Sequence, residues 1–281
     1  MTGGVLAGLA LALGAAVATA GAHALLKSGS DKLATRFLIG AVGSAVAVPV
    51  LFLAPLPSSE LWPWLAASAI LHLIYQLVLI RAYEAAEFSL AFPVARGIAP
   101  VATAILGVAF LGDRLTPLSL LGVAVVTAGL LALSFRSGLS RTGLVAAMTA
   151  GVLTTAYTLV DAQGVRLAAE PLTFIAWFFL LDGLVMTPVF VFARRGRMGA
   201  VIRKDRGRGV WAGLVSLIGF GATLWALALA PAGAVSALRE TSVVFAMLIA
   251  GLGLREVLSR GRMACGLAIA AGAALVVLGA A

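Results

Sequence analysis

The chain has 281 residues and a net charge of +9, with 62% hydrophobic and only 11% charged residues. A soluble domain carries roughly 25% charged residues, so this composition cannot clothe a water-exposed globule. The basic excess would suit nucleic acid as a partner, but the Lys and Arg residues fall between apolar blocks, where they report membrane topology instead.

The apolar blocks run to about 20 residues, the helix length that crosses a hydrocarbon core of about 30 Å. Lipid offers backbone amides no partner, so such blocks must pair internally as helices. In chain order they predict ten spans: residues 4–26, 37–55, 62–82, 89–111, 117–135, 143–163, 171–193, 209–229, 233–254 and 260–280. The first lacks a basic stretch ahead of it and reads as a span, not a cleaved leader. The separators are short and polar, as in Gly112-Asp113-Arg114. The longest, Arg194 to Arg208, holds seven basic residues and is expected outside the membrane. The 32 glycines, with many alanines beside them, let helices approach closely where lipid supplies no hydrophobic drive. Such faces would also permit a homodimer. Cys265 is the only cysteine, so internal disulfides and multi-cysteine metal sites are excluded.

An internal repeat is legible. Arg96 stands 17 positions before Asp113, and Arg239 stands 17 before Glu256; Leu111 and Gly129 match Leu254 and Gly272 at the same offset. A second match aligns His23 and Lys27 with Tyr157 and Asp161. The halves divide as residues 1–137 and 138–281. Five spans per half is an odd number, so two such halves must sit inverted, with a solute site expected at their interface. Connections taken alternately are unequal: the odd set carries fifteen basic residues, the even set only Arg114 and Arg166. The odd set is therefore expected in the cytoplasm, and both termini outside.

Three stretches carry a family resemblance: Ala82-Tyr83-Glu84; Phe92-Pro93-Val94-Ala95-Arg96-Gly97-Ile98-Ala99-Pro100; and Leu111-Gly112-Asp113-Arg114-Leu115-Thr116 followed by Gly122. The second half repeats parts of this as Ala230-Pro231, Leu238-Arg239-Glu240-Thr241-Ser242 and Leu254-Arg255-Glu256. In these motifs the chain resembles the EamA-type ten-helix carriers of the drug/metabolite transporter superfamily. The resemblance implies an all-α protein of the cell (plasma or inner) membrane that moves a small metabolite, with no cofactor. It also implies cytoplasmic termini, against the charge count.

Polar residues inside the spans mark a candidate site, because ionisable groups in lipid usually face a cavity or a partner. At 100° per residue, His72, Tyr75, Gln76 and Tyr83 fall within about 100° of arc, with Arg81 opposite. They form either a cavity wall or an interhelical hydrogen-bond seam. Arg96 and Arg239 are repeat-related, and Pro93 and Pro100 should break the helix around Arg96. The two guanidinium groups either hold a carboxylate or phosphate, or pair with Glu84, Glu87 or Glu240. Tyr157 and Asp161 share a helix face; Asp161 is a candidate proton-coupling carboxylate, or a partner of Arg166. Trp177 faces either lipid or the cavity, and Asp182 is a candidate cap at a helix break. Asp113 and Glu256 are expected to close their helices, paired with neighbouring Arg114 and Arg255 or with the next helix's N-terminus.

These residues point to a secondary carrier for an amino acid-like solute or organic anion, working by alternating access. The chain lacks a phosphate-binding Gly-rich loop. An aspartyl-protease reading of Asp161 and Asp182 lacks the glycine-flanked aspartate motif, so an enzyme is not expected. A channel or lipid-handling protein is the alternative, but a channel needs polar residues along a whole pore.

Overall fold

The computed structural model describes residues 2–85, 96–135, 141–248 and 259–280, which hold helices and turns and no strand. The helices follow in chain order as α1 (Thr2–Ser28), α2 (Lys32–Leu51), α3 (Trp62–Ala85), α4 (Ala99–Leu111), α5 (Pro117–Phe135), α6 (Arg141–Leu167), α7 (Pro171–Ala193), α8 (Met198–Leu229), α9 (Ala232–Arg239), α10 (Ser242–Leu248) and α11 (Arg260–Ala280). Seven of them, α1, α2, α3, α5, α7, α8 and α11, are long and apolar enough to cross a membrane. The chain is thus a multi-pass membrane protein.

Three spans differ from expectation. The second starts earlier, at Lys32, because Asp31 caps it by accepting the Ala34 amide at 3.0 Å. Hydropathy placed its first turn outside the helix, yet Arg36 there is buried. The eighth is a 32-residue helix, so the basic segment from Met198 to Arg208 is its helical extension and not a loop. The ninth is two short helices, α9 and α10, separated by a turn at Glu240 and Thr241. In the first half, Arg96 to Ile98 are non-helical and α4 begins at Ala99; by the repeat offset these three residues match Arg239 to Thr241, where α9 ends and the turn follows. Pro93, Glu87, Arg255 and Glu256 lie outside the described residues.

The packing is symmetric between the halves. Helix α1 lies along α8, and its counterpart α6 lies along α3. Three further pairs join a helix to its own counterpart: α2 to α7, α5 to α11, and α4 to α9, while α2 also packs on α8. Two of these counterpart pairs meet backbone to backbone through glycine. A Cβ on Gly122 would stand 2.6 Å from the Gly272 carbonyl oxygen, and a Cβ on Gly272 would stand 2.8 Å from the Gly122 carbonyl oxygen. Gly129 meets Cys265 and Ile269, so α5 and α11 run antiparallel. Gly40 meets Gly183 and Gly43 meets Phe179, so α2 and α7 do the same. Only glycine permits this backbone approach, where van der Waals contact holds the helices.

Polar clusters tie the helices together at the two ends of the bundle. At the α1–α2 end, Asp205 accepts from the Ser30 and Asp31 amides at 3.0 and 2.9 Å, and Arg194 pairs with Asp31 at 2.6 Å. At the other end Asp113 pairs not with Arg114 but with Arg166, at 2.7 Å, and accepts the Ala232 amide at the start of α9. Arg166 also donates to the carbonyls of Leu227 and Ala230. One side chain therefore ties α6 to the α8–α9 corner.

Candidate functional site

A cavity of about 100 Å³ opens among α1, α2, α3, α6, α7, α8 and α9. It reaches His23 near the end of α1, Arg36 near the start of α2 and Gly213 in the first half of α8, so it lies toward the α1–α2 end. His72, Tyr75 and Gln76 line it, as the one-sided stripe on α3 predicts. Tyr83, one further step along that stripe, is buried outside the cavity, where its hydroxyl meets His23 Nδ1 at 3.1 Å. Lys27 donates to the Tyr83 carbonyl at 2.5 Å.

The wall is aromatic. The His72 and Tyr157 rings lie 4.1 Å apart, and Phe178 and Phe220 approach His72 edge-on at 4.8 and 5.0 Å. Phe178 and Phe220 carry no sequence signal that separates them from the other phenylalanines. Trp177 does not join this wall; it packs edge-on against Trp62 at 4.9 Å.

Ion pairs surround the aromatic group. Arg36 donates to Asp182 and to the side-chain oxygen of Gln76, whose amide donates to the other Asp182 oxygen at 3.0 Å. Both Arg36 and Asp182 line the cavity, so Asp182 is an ion-pair partner and not a helix cap. Behind the aromatic wall, Arg96 and Glu240 pair at 2.5 Å, deeply buried and off the cavity. Asp161, fully buried, accepts from Ser68 at 2.5 Å and lies 3.0 Å from His72 Nε2. It therefore does not partner Arg166, which is engaged with Asp113.

Arg239 differs from Arg36, the other buried arginine on the cavity wall. It is 4% exposed and forms no ion pair among the described residues. Its guanidinium lies 5.6 Å from the Phe220 ring centre, one terminal nitrogen is 3.5 Å from the Tyr157 hydroxyl, and its Nε has no partner among the described residues. A separation of 3.5 Å is long for a hydrogen bond. A buried cation without a carboxylate is costly, and an anion entering the cavity would offset that cost. A larger hollow of about 260 Å³ between α2, α7 and α8 has a nearly all-apolar lining and no such anchor.

A symmetric bundle of membrane-length helices around a charged, aromatic hollow is the build of a membrane transporter. The EamA-like transporter family model matches residues 2–135 and again 141–278, so this chain belongs to that family, within the drug/metabolite transporter superfamily, and contains its unit twice. A solved crystal structure of a protein is similar in fold, with a TM-score of 0.72 over 96% of this chain and 98% of that one, at 16% identity. No curated protein matches the sequence.

Proposed function

We propose that this protein is a secondary carrier that moves a small organic solute bearing an anionic group, such as an amino acid or carboxylate, by alternating access between two inverted five-helix halves. The observation that carries this reading is Arg239, a buried guanidinium on the cavity wall with no carboxylate of its own among the described residues. A planar guanidinium suits a carboxylate. The solute's organic body would lie against Tyr75, Tyr157, Phe178 and Phe220. An ammonium group, if present, would meet those ring faces and Asp182. Arg96 and Glu240 act at one remove, holding the start of α4 to the turn after α9 behind the site.

The antiparallel packing of equivalent helices supports inversion of the halves. The excess of basic residues on the odd connections supports a cytoplasmic location for the α1–α2 end, so the cavity in this conformation would be reached from the cytoplasm.

The test is a thermal-shift screen of the purified protein against lactate, L-alanine, phosphate esters and cationic drugs, because a ligand of the folded state raises the melting temperature by mass action. Carboxylates should stabilise the wild type, and proteoliposomes should show their counterflow. Arg239→Gln should lose a charge-assisted contact worth about 1.5–3 kcal/mol, or roughly 10- to 150-fold in affinity. Equal carboxylate binding by Arg239→Gln would refute the site, and absence of counterflow would refute the carrier.

A further inference from the structure

We infer that His72 and Asp161 form a proton-carrying dyad, with His72 relaying protons between the cavity and the buried carboxylate, and that the proton travels with the anionic solute in the same direction. This rests on the carrier reading above. Asp161 is fully buried and does not line the cavity. His72 does line it, and its Nε2 faces Asp161 Oδ2 at 3.0 Å. No hydrogen bond within the described residues occupies its Nδ1. Ser68, one helical turn before His72 on α3, donates to the other Asp161 oxygen at 2.5 Å. The carboxylate thus lies deeper than the cavity, between Ser68 and His72 and away from the α1–α2 end.

The transfer balances without any further reactant. A hydronium in the cavity gives its proton to Nδ1, and the Nε2 proton passes to Asp161 Oδ2. One O–H bond breaks and one forms, the ring exchanges tautomers, and the dyad changes from a net charge of −1 to neutral. Release reverses both transfers once the cavity opens to the other side.

The dyad is also placed to sense the anion. The Tyr157 ring lies on His72, and the Tyr157 hydroxyl lies toward Arg239. The groups that face His72 leave the dyad charge uncancelled: Phe178 on α7 and Phe220 on α8 are apolar, and Tyr75 and Tyr157 are neutral. On the cavity wall nearby, Arg36 and Asp182 neutralise each other, and His23 on α1 is bonded to Tyr83. Arg239 on α9 is the cation the solute would claim. A dyad at −1 repels an anion at that cation, and a neutral dyad does not. By linkage, a bound anion must raise the dyad's proton affinity to the same degree. Anion and proton therefore load together, which defines symport.

Lactate is the probe, since it remains ionised above about pH 5. Its affinity for the wild type, read by tryptophan fluorescence, should rise about fivefold or more between about pH 8 and pH 6. Asp161→Asn mimics the protonated carboxyl and can still accept from Ser68. It should bind lactate at the higher pH as tightly as the wild type does at the lower one. In proteoliposomes, Asp161→Asn should retain lactate counterflow but lose accumulation driven by a pH gradient, and His72→Gln should lose that accumulation as well. Wild-type affinity that ignores pH, gradient-driven accumulation that survives in either variant, or counterflow lost from Asp161→Asn would each overturn the dyad. A wild type without lactate or alanine counterflow would instead overturn the carrier reading beneath it.

Discussion

The Arg36–Asp182 pair bridges α2 and α7 inside the bundle, with each side chain only 6% exposed. Asp182→Leu strands the Arg36 guanidinium and removes the acceptor of the Gln76 amide. Arg36→Met leaves Asp182 with Gln76 alone. Removing one member of a buried pair costs about 3–5 kcal/mol, whereas replacing both with apolar residues of similar size is often neutral. The single variants should therefore melt about 6–20 °C below the wild type, at roughly 2–4 °C per kcal/mol for a chain of this order of size. The double variant Arg36→Met/Asp182→Leu should recover most of that loss. Cys265 supplies the assay, because it is the sole cysteine and is buried, so a thiol-reactive dye labels it as the bundle opens. Single variants that each cost less than about 1 kcal/mol, or a double variant that merely adds the two losses, would refute the pair as a coupled unit.

Gly272→Leu places side-chain atoms where α5 and α11 touch backbone to backbone; it should cost about 1–3 kcal/mol or more by overpacking, seen as earlier dye labelling on heating. Burial pushes the Asp31 carboxyl up, but the Arg194 guanidinium and the Ala34 amide together hold it below its ordinary 3.8. A depressed carboxyl contributes stability that is present above 3.8 and is lost as pH falls through the lower folded-state value. Asp31→Asn should therefore be less stable than the wild type at neutral pH, and should lose less between about pH 5 and pH 3 in fluorescence melts.

How much of this could be read from the sequence depended on the range of the interaction. The membrane helices follow from local hydropathy, and the His72-Tyr75-Gln76 face follows from helical period. The turn at Glu240 and Thr241 was not legible, because it contains no proline and the ninth span reads as one apolar run. Arg36 was illegible. A hydropathy window sees a charge and excludes it from the span, while the partner that permits its burial, Asp182, lies 146 positions away. Asp113 shows the same limit: its adjacent arginine is Arg114, but it bonds Arg166 and the amide at the start of α9, both distant in sequence. Arg96 and Arg239 look equivalent in sequence, and only packing assigns Glu240 to the first and leaves the second on the cavity wall.

The Gly122–Gly272 crossing is reciprocal: each glycine takes the space left by the other's missing side chain. In the proposed alternating access, a motion that trades the postures of the two halves would map this contact onto itself. Neither helix touches the cavity. On that proposal the pair would serve as a stationary fulcrum while the remaining helices tilt, its glycines setting where the bundle is stiff and not what it carries.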